Sequence, residues 1–283
     1  MSDSDSVSSV PPVNIVDGEP APLDVLQLQQ ALVGGTIGQP LHYIREIGST
    51  NSHARELAEA GAAAGTVVVA ESQTQGRGRL ERRWESPPFR NLYLSILLRP
   101  TLSPANAAQI TLMAAVALAD VVDAYVPGQV AIKWPNDILI GSRKLAGILT
   151  EACCDAERVR YVILGIGINL NSTSGDMPEA LRPRATSLLE VTGKPIQRES
   201  FMRRLLQGVE RCYGELEDGG FAALAPRWQS YFAWRGRRVR VELLDQVTIG
   251  TAHGIDRDGA LLLIDDGGVE RRILAGDVIP LEI

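Results

Sequence analysis

Glu71-Ser72-Gln73-Thr74-Gln75-Gly76-Arg77-Gly78-Arg79 is the stretch on which the reading of this chain turns. Ahead of it, Thr66-Val67-Val68-Val69-Ala70 reads as a buried strand; behind it, past Pro87 and Pro88, Leu92 to Leu98 is a second apolar run. A loop between two core strands that alternates glycine with arginine lets the backbone come close to a ligand. It also supplies guanidinium forks for phosphate or carboxylate oxygens. Taken alone, the loop reads equally as a solvated turn with surface charges, so its meaning comes from the rest of the chain.

The 283 residues, 45% of them hydrophobic, suffice for one large core, or one large and one small. A net charge of −6 is a poor footprint for a general nucleic-acid binder. Adjacent Cys153 and Cys154, and the separate Cys212, make neither a disulfide framework nor a zinc site. They read as packing residues of a protein in a reducing cytoplasm. The histidines show no metal-ligand spacing. The N-terminus has no basic start followed by an apolar run, so no secretory signal is expected. The apolar stretch Thr111 to Val126 carries Asp120 and Asp123, and reads as a buried or amphipathic helix rather than a membrane span.

Residues 1–22, rich in Ser, Pro and Asp, are expected to form a disordered tail. A short helix over Leu23–Leu32 and a strand over Leu41–Ile47 follow. Gly48-Ser49-Thr50-Asn51 then opens a helix over His53–Ala64; its polar side chains read first as N-caps and second as groups facing a ligand at the strand's end. Ser103-Pro104 predicts the start of a helix reaching about Val126. A strand over Val130–Lys133 runs into Trp134-Pro135-Asn136-Asp137, and Ile138–Ile140 with Lys144–Glu151 reads as a hairpin. On a strand over Tyr161–Leu170, Gly165, Gly167 and Asn169 share one face, suited equally to a ligand or to a helix packed tightly on the sheet. Helices over Glu199–Leu216 and Phe221–Tyr231 come next. Past Arg235, short alternating strands with glycine turns suggest a small barrel of about 50 residues.

Lys133 and Lys144 bracket Asn136 and Asp137, with Gly147 just beyond. Together with Arg77 and Arg79 they make a set of cations plus a carboxylate that suits phosphate chemistry with a divalent metal. There is no G-x-x-x-x-G-K-[ST] and no G-x-S-x-G.

These segments, in this order, resemble the bacterial biotin–protein ligases in their short form, without an N-terminal DNA-binding domain. The resemblance rests on GSTN (48–51), ESQTQGRGR (71–79), NLYLS (91–95), KWPND (133–137), RKLAGILTE (143–151) and GIGIN (165–169), with Gly254-Ile255-Asp256 and Gly259 near the C-terminus. It covers about residues 41 to 283. It implies an α+β fold: a mixed-sheet, class II synthetase-like catalytic domain over 23–233, then an SH3-like barrel over 234–283. It implies ATP-dependent activation of biotin to biotinyl-5′-AMP, with Mg²⁺, and transfer of biotin to a lysine of a biotin carboxyl carrier protein such as that of acetyl-CoA carboxylase. No nucleic-acid or membrane partner and no resident metal are implied, and a homodimer is left open.

Carried over by residue, the resemblance places Ser49, Thr50, Asn51 and Gln73 around the biotin ureido head. Arg77, Gly78 and Arg79 would close over biotin and its adenylate. Lys144 would meet the carboxylate and α-phosphate, with Gly147 also lining biotin. Trp84, Lys133, Asn136 and Asn169 would lie toward the nucleotide, and Lys144 and Arg79 would be the catalytic cations. Glu81 stands where the family loop commonly has glycine, and Arg90 where a glycine often precedes Asn-Leu-Tyr. With the first motif at Gly48, too little chain is expected ahead of it for a winged-helix domain. The rival lipoate–protein ligases and octanoyltransferases share the fold, but RKLAGILTE, the arginine loop and the barrel weigh against them. A nucleic-acid-binding module is opposed by the acidic balance.

Overall fold

Alternation along the strands sorts side chains into two layers before any helix is placed. In the computed structural model, which describes residues 21–243 and 246–281, two sheets carry the chain. The first holds β1 (Leu41–Ile47), β2 (Val67–Gln73), β3 (Leu92–Leu98), β4 (Val130–Lys133), β5 (Asp137–Ile140), β6 (Arg143–Cys154) and β7 (Val159–Ile168), in the order β1-β2-β3-β7-β6-β5-β4. Only β1 and β2 run parallel, so the sheet is mixed. The second holds β8 (Arg238–Leu243), β9 (Gln246–Ile255), β10 (Leu261–Ile264), β11 (Glu270–Ile273) and β12 (Asp277–Pro280), antiparallel in the order β11-β10-β9-β8-β12. Its last strand returns to pair with its first, the order of an SH3-like barrel. The fold class is the expected α+β.

The helices are α1 (Val25–Ala31), α2 (Thr50–Glu59), α3 (Gln109–Asp123), α4 (Leu188–Thr192), α5 (Arg198–Gly219) and α6 (Ala225–Ser230). One face of the large sheet is sealed: Val67, Val69, Ile96 and Leu164 join α3 and α5 in a single apolar cluster. Pro104–Asp123 is long and apolar enough to cross a membrane by length and composition, yet Ile110, Met113, Ala117 and Leu118 are fully buried in that cluster. Pro104 does not open α3 as its sequence position suggests. It begins a separate 3-10 turn over Pro104–Asn106, and Ala107 N–H bonds back to Pro104 O. The predicted helix over 221–231 likewise divides into a 3-10 turn over Phe221–Ala223 and α6, which has Pro226 in its first turn.

The opposite face is covered only in part. Ala54 and Ala58 of α2 meet Val68, Leu97 and Ile163. Beyond α2 that face presents small residues: Gly147 pairs across strands with Gly167, and Gly165 stands between Leu149 and Ser95. The cleft described below lies over these residues.

Residues 1–20 of the expected tail lie outside the described residues. Ala21 O accepts from Arg198 Nη2 (2.6 Å), and Leu23 N–H donates to Glu71 Oε1 (2.6 Å). Arg198 Nη1 reaches Glu71 Oε2 at 2.6 Å, with the Glu71 side chain wholly buried. Tyr43 OH adds a third bond to this carboxylate (3.2 Å), and burial with the Glu71 charge pushes the phenol up to about 12. Satisfied on both sides, the pair ties the N-terminal segment, β2 and α5 together. Removing one partner from such a pair costs about 3–5 kcal/mol.

The barrel docks through its loops and the start of β12. Trp134 Nε1 donates to Gly259 O (3.1 Å), and Gln109 Nε2 donates to Asp258 O (3.2 Å). Asp277 accepts from Lys133 Nζ (3.0 Å) and from Arg82 Nη2 (2.6 Å). Burial alone would raise the Asp277 carboxyl; Lys133 and Arg82 outweigh it and hold the group below its ordinary value. A carboxyl depressed on folding contributes its stability in full above the unfolded carboxylate range, and the contribution is lost as pH falls through the folded value. Arg82 is 63% exposed and adds little, so the half-buried Lys133 arm dominates. Asp277→Asn should therefore cost about 1.5 kcal/mol at neutral pH. In urea unfolding the gap to the parent protein should close below about pH 4.

Candidate active site

The N-terminus of α2 is capped from another strand. Ser49 stands at the N-cap but makes no side-chain cap bond. Instead Gln73 Oε1, at the end of β2, accepts from Thr50 N–H (2.9 Å) and lies 3.1 Å from Thr50 Oγ1. The local capping predicted for Ser49 and Thr50 is thus replaced by a long-range one that fixes Gln73 against the helix. Asn51 comes next and lies flat on bare backbone: a methyl group at Gly165 would stand 2.2 Å from its Oδ1. Gly165 therefore admits the tightly packed helix, and it also lines the cleft described below.

The Gly-Arg loop is a small hairpin. Arg77 bridges Arg83, Gly78 N–H donates to Arg82 O (2.6 Å), and Trp84 N–H to Gly76 O (3.0 Å). Its tip is left-handed at Leu80 (φ 54°) and Glu81 (φ 57°). Such φ values cost non-glycine residues about 1–2 kcal/mol each, so glutamate in place of glycine stores strain at an exposed tip. The forks read from sequence as anion ligands are engaged within the chain. Arg77 Nη2 reaches Ser52 Oγ (3.2 Å) and Glu151 Oε2 (3.1 Å). Arg79 Nη1 donates to Asn136 Oδ1 (2.9 Å), and its Nη2 to Gly276 O of the barrel (3.2 Å). Burial lowers the Arg79 pKa from its ordinary value, against the opposing charges of Asp137 and Asp277.

Trp84 closes the hairpin and lays its indole over the paired glycines. A methyl group at Gly167 would lie 2.6 Å from Trp84 Cε2, and one at Gly147 would lie 3.1 Å from Trp84 Cζ3. Trp84 Nε1 is buried without a hydrogen-bond partner. Lys144 Nζ stands 5.3 Å from the indole centroid and 2.8 Å from Asp137 Oδ1. Its backbone is held by Arg184 O and Thr186 N–H.

Together these groups line an open cleft. Ser49, Thr50, Asn51, Gln73, Arg77, Gly78, Arg79, Trp84, Asn136, Lys144 and Gly147 all face it. The other two candidates do not. Lys133 turns to Asp277 and the Trp234 ring (5.7 Å), and Asn169 passes the end of β7 and donates to Thr186 O (3.1 Å). The cleft has a polar end at the α2 terminus, where the Arg77 guanidinium is paired with Glu151, and a cationic end at Lys144 and Arg79. Ser95, which bonds Asn51 from the sheet floor, and Glu151, which bonds it across 100 residues, were not singled out by any spacing. Among the described residues no group of three or more His, Cys, Asp or Glu is arranged to hold a metal. Burial pushes the Cys212 thiol up to about 11, consistent with packing, whereas Cys154 is exposed.

Residues 43–169 match the Biotin/lipoate A/B protein ligase family, and residues 236–279 match the Biotin protein ligase C terminal domain. Over 260 residues the chain is 39% identical to the bifunctional ligase/repressor BirA of Bacillus spizizenii, an alignment covering 92% of this chain and 80% of that protein. The chain belongs to the biotin protein ligase family. It is 35% identical to the biotin–[acetyl-CoA-carboxylase] ligase of Mycobacterium tuberculosis over 92% of this chain and 96% of that protein. A biotin protein ligase from Aquifex aeolicus, solved in complex with biotin and ATP, superposes with a TM-score of 0.73 at 28% identity, over 86% of this chain and 99% of that one. Within the family frame, the Gly147–Gly167 floor is the feature most open to direct test. Gly167→Ala should expel the Trp84 indole at a cost of about 1–3 kcal/mol. Acrylamide quenching should then rise by the share of one tryptophan, because Trp134 and Trp228 stay buried.

Proposed function

We infer that the chain activates biotin with ATP to biotinyl-5′-AMP and transfers the biotinyl group to a lysine of a biotin carboxyl carrier protein. The observation that carries this reading is the cleft, polar and charge-paired at one end and cationic at the other, built from segments that sequence alone had ordered. Ser49, Thr50, Asn51 and Gln73 offer a neutral head such as the ureido ring both donors and acceptors. Lys144 and Arg79 then face the acid end of the molecule and the nucleotide.

The chemistry to be overcome is anion against anion, since a carboxylate must approach the α-phosphorus of ATP. Lys144 exchanges its bond to Asp137 for incoming oxyanions and, with Arg79, offsets the charge that develops as pyrophosphate leaves. Asp137 fits a divalent ion that arrives with its nucleotide, because Mg²⁺ takes one or two carboxylates and completes its shell with phosphate oxygens and water. Such an ion would neutralise the phosphates. The hairpin over 76–84 and Trp84 keep water from the mixed anhydride. The carrier lysine nitrogen then bonds to the biotinyl carbonyl carbon and AMP departs. We place the reaction in the cytoplasm, where ATP and free cysteines coexist.

Intact-mass measurement of an apo carrier domain incubated with the enzyme, biotin and MgATP should show the gain of one biotinyl group. A gain with lipoate and none with biotin would overturn the reading. Lys144→Ala should cut biotin-dependent ATP–pyrophosphate exchange by about 10²–10³-fold with the fold intact. Arg79→Gly breaks the bonds to Asn136 and Gly276 and should speed adenylate escape by roughly one to two decades. Streptavidin blotting of a lysine-rich bystander protein should then give a signal that the parent enzyme does not.

A further inference from the structure

Glu151, on the uncovered face of the large sheet, is assigned no part in the scheme above, yet three bonds converge on it. Its Oε1 accepts from Arg55 Nη2 of α2 (2.6 Å). Its Oε2 accepts from Asn51 Nδ2 (2.7 Å) and from Arg77 Nη2 of the hairpin (3.1 Å). One carboxylate oxygen thus joins the polar end of the cleft to the loop that closes it. The side chain is about one-fifth exposed, so these charges are only partly screened.

A carboxylate only accepts, and that fixes the direction of the bonds beyond it. Asn51 must turn Nδ2 toward Glu151 and Leu149 O (3.2 Å), which leaves Oδ1 to accept from Ser95 Oγ (2.6 Å). Ser95 Oγ, its proton spent on Asn51, accepts from Thr50 Oγ1 (2.8 Å), and the Thr50 backbone N–H holds Gln73. The donor and acceptor pattern shown to a neutral ligand head is therefore set from Glu151 inward. Arg77, which sequence cast as an anion fork, spends its guanidinium on the same carboxylate.

We propose that Glu151 is a positioning residue for biotin: it orients the Asn51 amide and anchors the Arg77 end of the closing hairpin. This rests on the ligase reading, and the experiment separates the two. Glu151→Gln keeps the volume, removes the charge and can present an NH₂ to Asn51, so only the longer bond to Leu149 O still holds the amide's orientation. Biotin-dependent pyrophosphate release by the variant should show a KM for biotin raised about tenfold or more, with the KM for ATP within twofold of the parent. Thermal unfolding of the apo-proteins should differ little. Arg55→Ala, which touches only the outer oxygen, should keep a parental KM for biotin.

A parent enzyme with no biotin-dependent release would sink the ligase reading itself. An active parent with an unchanged KM for biotin in Glu151→Gln would overturn only this assignment. So would equal losses for both substrates, or a loss in Arg55→Ala matching that in Glu151→Gln, because those results mean a general structural or electrostatic role.

Discussion

The cleft depends on close approach to bare backbone. Gly165 admits the Asn51 amide and Gly167 the Trp84 indole at separations that a single methyl group would forbid, and a methyl at Gly147, its cross-strand partner, would crowd the same ring. Everything polar at one end of the site follows from Asn51 resting where it does, and everything at the other from the hairpin lying low over the sheet. A helix-covered layer across β6 and β7 would have sealed this face as α3 and α5 seal the other. The partial cover by α2, whose apolar contacts form a much smaller cluster, leaves room for chemistry without opening the main core.

Much of this was legible in the sequence, for a local reason. β1 and β3 fall where the apolar runs place them, and the hairpin of β5 and β6 follows its Gly141-Ser142 turn. Signals carried by neighbouring residues survive folding when tertiary contacts agree with them. Where they failed, a distant partner had intervened. Ser49 has the chemistry of a cap, but Gln73 takes that role. Lys133 belongs to a motif of the cleft, but Asp277 draws it into the barrel interface. Asn169 alternates correctly with Gly165 and Gly167, but β7 ends at Ile168 and the amide turns to Thr186. Glu151 could be quoted from the sequence but not assigned, because its meaning lies in bonds to residues 74 to 100 positions away.

The arginines show how charge is divided between substrate and scaffold. Two of those in the Gly-Arg hairpin end on carboxylates of other elements, Arg77 on Glu151 and Arg82 on Asp277, while Arg79 ends on an amide and a carbonyl. Arg79 bonds only neutral acceptors, but the Asp137 and Asp277 carboxylates act on its charge against the burial that lowers its pKa. All three arginines thus tether the loop, two of them through carboxylates and Arg79 through neutral oxygens.

The tether to the barrel has a further consequence for synthesis. Arg82 and Arg79 meet their barrel partners 195 and 197 residues later in the chain. On a ribosome, α2, β2 and the hairpin have emerged long before β12 exists to receive them, and N-terminal segments fold first. The growing chain therefore passes through a stage in which the closing loop has its partners Ser52, Asn136 and Glu151 but lacks those of the barrel. A nascent chain stalled before Gly276 lacks the two bonds that fasten the hairpin on its barrel side.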